Sequence, residues 1–263
     1  YNGLEVRSQN AWPSLGFDAL AVNNLLSPFF GAGFYYKMMM WPKPLWEKFY
    51  EPLIRRAAGL GGLSVENNVD NYERAWAHCD LLVIGAGPTG LMAALTAAKS
   101  GLDVILADED SILGGRLNAE THEVDGMSGQ DWAAKMAADL QEMENVRVMT
   151  RTTVTGAYDQ GTYGALERVS HHGNTAENMP LECFWRIVAK RTILAAGALE
   201  RPIAFRNNDR PGVMNAGAVR SYLNRWGVAA GKNVAVFGNN DNAHRTAHDL
   251  RAAGVNVVAL IDS

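Results

Sequence analysis

Cysteine is scarce in this chain: Cys79 and Cys183 are its only two among 263 residues. Far apart in sequence, they form no CxxC pair, supply no zinc cage and cannot staple a disulfide framework. A reducing, cytoplasmic setting is therefore expected. An excess of one charge sign is missing too. Lys and Arg number 24 against 28 Asp and Glu, giving a net charge of −4 and a pI near 5.9. There is no dense basic run, so no nucleic-acid partner is expected. A charged start, an apolar core and a small-residue cleavage site, the marks of a secretory signal, are absent. Long lipid-compatible runs are also lacking. The uncharged stretch from Ala19 to Tyr36 contains Asn23, Asn24, Ser27, Pro28, Gly31 and Gly33, each of which weakens a membrane helix. A glycine-rich turn splits the second such stretch, Leu81 to Ala98, which reads as a buried strand and then a buried helix. No membrane partner is expected.

What is present is the balance of a globular chain, with 48% hydrophobic and 20% charged residues. The length suits one large domain or about two ordinary ones. The chain starts at Tyr1 and stops at Ser263 after a strand-like run, so an internal piece of a longer polypeptide is expected.

Residues 1–76 read as an aromatic-rich extension. Phe29, Phe30, Phe34, Tyr35, Tyr36, Trp41, Trp46, Phe49 and Tyr50 interleave with Met38, Met39 and Met40. Pro42, Pro44 and Pro52 cut the segment into short pieces, because proline removes a backbone donor. Leu45, Phe49, Leu53 and Ala57 recur every four residues and predict a short amphipathic helix or pair of helices. A polar run at Glu66 to Asn71 reads as a connector. Such a surface suits partner recognition, or packing on the chain's own next domain; the sequence leaves both open.

Residues 77–205 read as a first dinucleotide-binding domain. Leu81–Ile84 is a buried strand, a helix runs to Ser100, Val104–Ala107 is a second strand, and Trp132, Met136, Leu140 and Met143 mark another helix before Val146–Met149. This β-α-β-α-β order predicts an α/β, Rossmann-like fold with a parallel sheet. Strand-like pieces near Val154–Tyr158, Tyr163–Val169 and Cys183–Ala189 predict an antiparallel β crossover. Thr192–Gly197 then returns to a buried-strand style. Residues 206–263 read as an incomplete second Rossmann-like domain, with strands at Val234–Phe237 and Val255–Ile261 around a helix at Ala243–Ala253.

The turn Gly85-Ala86-Gly87-Pro88-Thr89-Gly90 carries the dinucleotide pattern in its full context of strand, turn and helix. Gly85 permits the tight turn, Gly87 lets a pyrophosphate approach the backbone, and Gly90 allows close helix–sheet packing. Pro88 sits where a helix begins and needs no donor. Thr89 and the small residues after it suit the same crowding. The free amides and positive dipole end of that helix make an anion site. Asp108 closes the second strand, where an acid takes the ribose hydroxyls, and Glu109 follows it. In the next loop, Gly114 and Gly115 allow backbone approach, and Arg116 is placed either to neutralise a diphosphate or to form a surface salt bridge. Ala196 and Gly197 end a strand either beside the cofactor or in a plain turn. Val154 completes the candidate set. The second turn, Gly238 to Ala243, has asparagine where a second glycine is wanted, so a structural domain without nucleotide is expected there. His244 and His248 lie four apart, and a solvated helix face is favoured over a metal pair; His171 and His172 read as surface.

The fingerprint, the Gly114-Gly115-Arg116 loop and the Ala195-Ala196-Gly197 strand end resemble the two-dinucleotide-domain flavoproteins. The extension is more specific. Ser8-Gln9-Asn10-Ala11-Trp12-Pro13-Ser14-Leu15, Asn23 to Pro28, Ala32 to Lys37 and Tyr50 to Gly59 resemble the alpha subunits of heterotetrameric sarcosine oxidases. So do Thr162 to Val169 and Asn208 to Val213. That resemblance implies a flavoprotein complex of alpha, beta, gamma and delta subunits that oxidatively demethylates sarcosine to glycine. Hydrogen peroxide and a one-carbon unit for tetrahydrofolate are the other products. It implies NAD in the first Rossmann site, held by Gly85, Gly87, Gly90, Asp108 and Arg116. FAD and FMN belong to the full complex, and folate chemistry lies outside this chain. No catalytic residue is assigned here, and the fragment alone is expected to be inactive. Three alternatives stay open: FAD in the first site, as in a related amino-acid or opine dehydrogenase subunit; a non-catalytic nucleotide-binding scaffold; and a disulfide-type reductase, which would need the missing CxxC.

Overall fold

In a computed structural model, the described residues are 11–14, 16–59, 67–68, 70–171 and 179–262. Ser8, Gln9, Asn10 and Leu15 of the Ser8 segment, Glu66 and Val69 of the Glu66–Asn71 connector, and His172 lie outside them. The chain divides into two compact units, Tyr1–Asn68 and Val69–Ser263.

The first unit is built of short helices, α1 (Asn23–Leu26), α2 (Phe34–Met38) and α3 (Glu51–Ala57). Pro52 is the second residue of α3. The amphipathic run at Leu45 forms a wide π turn at Trp46–Tyr50 that continues into α3. The rings contact one another, Phe30 with Phe34 at 4.8 Å and Tyr35 stacked on Trp46 at 6.2 Å. Phe17, Leu25, Phe29 and Trp41 remain exposed. Among the described residues, no helix is long and apolar enough to cross a membrane.

The second unit opens with β1 (Tyr72–Ile84), α4 (Pro88–Lys99) and β2 (Val104–Ala107). A small hairpin, β3 (Glu123–Val124) and β4 (Met127–Ser128), leads into α5 (Gly129–Gln141) and β5 (Val146–Met149). Then come β6 (Thr152–Tyr158), β7 (Thr162–Arg168) and β8 (Glu182–Leu194). These strands make one sheet in the order β5-β2-β1-β8-β7-β6. The first four are parallel, and β7 and β6 add antiparallel, as the crossover predicts. The strand-like piece Cys183–Ala189 and the Thr192–Leu194 part of the next piece are one strand, β8, whereas Ala195 to Gly197 lie beyond its end. Its early half pairs with β7, and its full length pairs with β1.

β1 begins at Tyr72, nine residues upstream of the apolar run at Leu81. The upstream part is hard to read because the alternation changes phase at Asp80. Ala77 and Cys79 join the cluster containing Leu82, Ile105, Met149 and Ile187, whereas Leu81 and Val83 share a cluster with Leu106 of β2, Leu91 of α4, and Trp132 and Leu140 of α5. The amides of Asp80 and Leu81 both donate to the Asp103 carbonyl, an irregularity that turns the strand over locally. Both sheet faces are thereby buried, as a parallel sheet requires.

The rest of the unit comprises α6 (Ala216–Arg220), β9 (Asn233–Gly238), α7 (Asp241–Ala252) and β10 (Asn256–Asp262). β9 and β10 are parallel. Val219, Val236, Ala247 and Leu250 form their core. The β-α-β order read for this part is present.

Candidate functional site

The carboxyl ends of β1, β2 and β8 meet at the fingerprint turn. Helix α4 starts at Pro88, with Gly87 in extended conformation at the cap position, and no side chain caps its first turn. Its opening amides thus keep their donor capacity and the positive end of the helix dipole.

The three glycines of the turn play different parts. Gly85 has φ of 97°, and a β-carbon there would lie 2.5 Å from the Ala195 carbonyl oxygen. A β-carbon at residue 90 would overlap the carbonyl oxygen of Gly85. Those two are required by the protein's own packing. At Gly87 a β-carbon would meet nothing within 4 Å. The space beyond Gly87 is open, and Pro88 and Thr89 beside it are exposed.

The loop after β2 closes on this turn. The Gly114 amide donates to the Ala86 carbonyl at 2.8 Å, and a β-carbon on Gly115 would lie 3.1 Å from the Gly87 α-carbon. Gly115 is therefore brought against Gly87. Arg116 follows, half exposed, with its Nη2 3.1 Å from Asn242 Oδ1 and 3.0 Å from Glu120 Oε1.

Asp108 is half-buried at the end of β2. Its Oδ2 accepts the Ala86 amide at 2.6 Å and its Oδ1 accepts the Asp110 amide at 2.8 Å. Glu109 is exposed and lines a cavity of about 420 Å³ with Asp110, Ser111, Arg151 and Arg168. Ala195 donates its amide to the Ile84 carbonyl at 2.7 Å, which brings the β8 end across the turn. Ala196 and Gly197 follow in exposed loop, Gly197 with φ of 72°. Val154 on β6 packs against the core cluster of Leu82 and Ile105. The structure thus gathers Gly85, Gly87, Gly90, Asp108, Gly115 and Ala195 at one turn.

Sequence reasoning missed a polar cluster beside the site. Asp110 is paired through both oxygens with Arg225, at 2.6 and 2.9 Å. The hydrogen bonds from Arg225, above all, hold the Asp110 carboxyl below the usual carboxylate range, and burial opposes them. Glu120, whose side chain is 7% exposed, contacts Arg116, His122, Arg220 and Arg245. Buried Arg220 also reaches Asp249 at 3.2 Å, and Asn224 and Thr121 donate to the same carboxylate. These partners lie over a hundred residues apart in several cases, so no local spacing signals them. His244 lies 3.3 Å from Asp262, and His248 lies 3.9 Å from Asp249. Cys79 and Cys183 are buried free thiols, and desolvation pushes Cys79 up to about 11.

Residues 80–193 match the family described as FAD dependent oxidoreductase. The whole chain is 59% identical to the sarcosine oxidase alpha subunit of Rhizobium meliloti (strain 1021), covering 27% of that protein. Over 78% of the chain it is 44% identical to the alpha subunit of Corynebacterium sp. (strain P-1), covering 21% of it. Among solved structures, L-proline dehydrogenase from P. horikoshii aligns with a TM-score of 0.60 and 27% identity. That alignment covers 75% of this chain and 38% of the other. The chain spans about a quarter of the length of the alpha subunits it matches.

Proposed function

Along its whole length this chain is a relative of the sarcosine oxidase alpha subunits, and on that footing we propose that it is the nucleotide-binding part of such a subunit. In this reading residues 206–263 begin a second Rossmann-like domain, and the boundary between aromatic extension and nucleotide domain, read from the sequence at residues 76 and 77, moves to residues 68 and 69 so that β1 stays whole. The intact complex, with beta, gamma and delta partners, demethylates sarcosine oxidatively in the cytoplasm. It carries FAD and FMN and passes a one-carbon unit to tetrahydrofolate.

The observation that carries the proposal is the open space at Gly87. It is bounded by the uncapped start of α4 and by the Gly115 backbone, and no side chain of the turn fills it. Such a cradle fits a pyrophosphate. Gly87, Thr89 and Gly115 line it, Gly90 lets the helix pack behind them, Arg116 supplies positive charge, and Asp108 stands ready for the adenosine ribose. We assign NAD to this site. When bound, NAD supplies a hydride acceptor. The chain's own contribution is to bind and orient the dinucleotide.

FAD at the same turn is the second reading, and the match of residues 80–193 to FAD dependent oxidoreductases favours it. Denaturing the purified protein and recording the released nucleotide's visible absorption separates the two, because a flavin absorbs visible light and NAD does not. A released flavin overturns NAD. No nucleotide released, and none bound on titration with NAD or FAD, overturns the nucleotide site itself.

A further inference from the structure

Resting on the reading that the Gly87 cradle takes a diphosphate, we propose that Glu120 and Asn242 are positioning residues that hold Arg116 for that diphosphate. Arg116 leaves the chain immediately after Gly115, whose backbone is packed against Gly87. Its side chain therefore starts from the edge of the cradle. A long arginine side chain in water samples many rotamers, and ordering it opposes ligand binding. Here the ordering is done beforehand. Nη2 is engaged by Glu120 at 3.0 Å and by Asn242 at 3.1 Å, and the N–H groups on Nε and Nη1 have no partner among the described residues.

The pair with Glu120 is more than an exposed i, i+4 salt bridge. The Glu120 side chain is nearly buried, and Arg220, itself 3% exposed, approaches the same Oε1 at 3.5 Å. His122 and Arg245 approach the other oxygen. A carboxylate fixed from several sides is a rigid anchor. Asn242 is fixed differently. It lies in the first turn of α7, its amide donates to Asn240 Oδ1 at 3.0 Å, and its carbonyl accepts Thr246 Oγ1 at 2.8 Å. The asparagine-rich second turn, which lacks the glycine a nucleotide needs, thus presents an acceptor to the first site. The second α/β piece contributes to the nucleotide site of the first, through Asn242 directly and through Arg220 and Arg245 by way of Glu120.

Calorimetric titration of the full chain with ADP and with adenosine tests the proposal. The wild type should bind ADP more tightly than adenosine, and Arg116→Gln should reduce that advantage about tenfold or more, leaving what the helix start itself contributes. Asn242→Ala should reduce the advantage about three- to tenfold, and Glu120→Gln by about tenfold or more, with adenosine affinity unchanged in both. Asn242→Asp keeps the acceptor oxygen and should retain the advantage. Because Glu120→Gln disturbs a buried cluster, Asn242→Ala, at a half-buried position in the first turn of α7, serves as the independent variant. A wild type that binds ADP no better than adenosine overturns the diphosphate reading. A wild type that prefers ADP, with the preference intact in both Asn242→Ala and Glu120→Gln, overturns the positioning role alone. Loss of adenosine and ADP affinity together in Asn242→Ala also overturns it, since a general structural role then accounts for the contact.

Discussion

Asp108 accepts the Ala86 amide at 2.6 Å, so the carboxylate that ends β2 also pins the turn that ends β1. Its other oxygen takes the Asp110 amide. An ionised carboxylate offers about four lone-pair sites, so two amide donors leave capacity for ribose hydroxyls. Closing a turn and binding a ribose are compatible duties for this side chain.

Asp108→Ala is therefore expected to act twice. It strands the buried Ala86 amide, costing about 1–3 kcal/mol in a urea titration. It should also weaken NAD binding roughly ten- to a hundredfold, at about 1.4 kcal/mol per decade. The wild type should prefer NAD to NADP, because the carboxylate repels a 2′-phosphate. Equal affinity for both nucleotides in wild type and variant would remove Asp108 from the site.

The glycines of the fingerprint should separate in a comparison of Gly87→Ala with Gly90→Ala. The β-carbon at residue 90 collides with backbone, and overpacking of this kind costs about 1–3 kcal/mol or more. At Gly87 the φ of −67° suits alanine and the space is open, so stability should hold while nucleotide affinity falls. Thermal unfolding with and without nucleotide reads both effects. An unchanged nucleotide affinity in Gly87→Ala would mean that no ligand backs onto the turn there.

Asp249→Ala should be the most destabilising of the charge deletions. It leaves buried Arg220 without its 3.2 Å partner and strips acceptors from Asn224 and Thr121. Breaking one side of a buried pair costs about 3–5 kcal/mol. Chemical denaturation measures it, and a loss below about 1 kcal/mol would show the pair to be effectively solvated.

The Asp110–Arg225 pair sets an acid-limb prediction. The carboxyl is held below its ordinary value in the folded chain, so its stabilising contribution is present above the unfolded value of about 3.9. It is lost as pH falls through the lower folded value. Asp110→Asn should cost about 1 kcal/mol near neutrality, after allowance for solvent screening, and should flatten stability against pH below about 4. Parallel acid limbs in variant and wild type would contradict the pairing.

Cys79 should resist alkylation in the native protein. Its thiol is buried and pushed up to about 11, so at about pH 8 little thiolate forms. Iodoacetamide labelling followed by mass spectrometry should show modification only after denaturation. Rapid native labelling would indicate an exposed thiolate at that position.

The amino-acid sequence by itself determined the local grammar of this chain. Gly85, Gly87 and Gly90 at fixed spacing, Pro88 at a helix start and an acid after Ala107 are short-range patterns, because turns and first helical turns depend on neighbouring residues. The α/β order and the antiparallel pieces before β8 were legible for the same reason. Tertiary structure alone decided that β1 reaches back to Tyr72, since the strand irregularity at Asp80 reverses its alternation. It alone separated the glycines needed by Ala195 and Gly85 from the one facing open space. It also joined Arg116 to Asn242 and Asp110 to Arg225. Such pairs form because α7 and the helical turn Ser221–Arg225 that follows α6 fold back over the loop after β2, and a contact made by folding back leaves no periodic trace in the sequence.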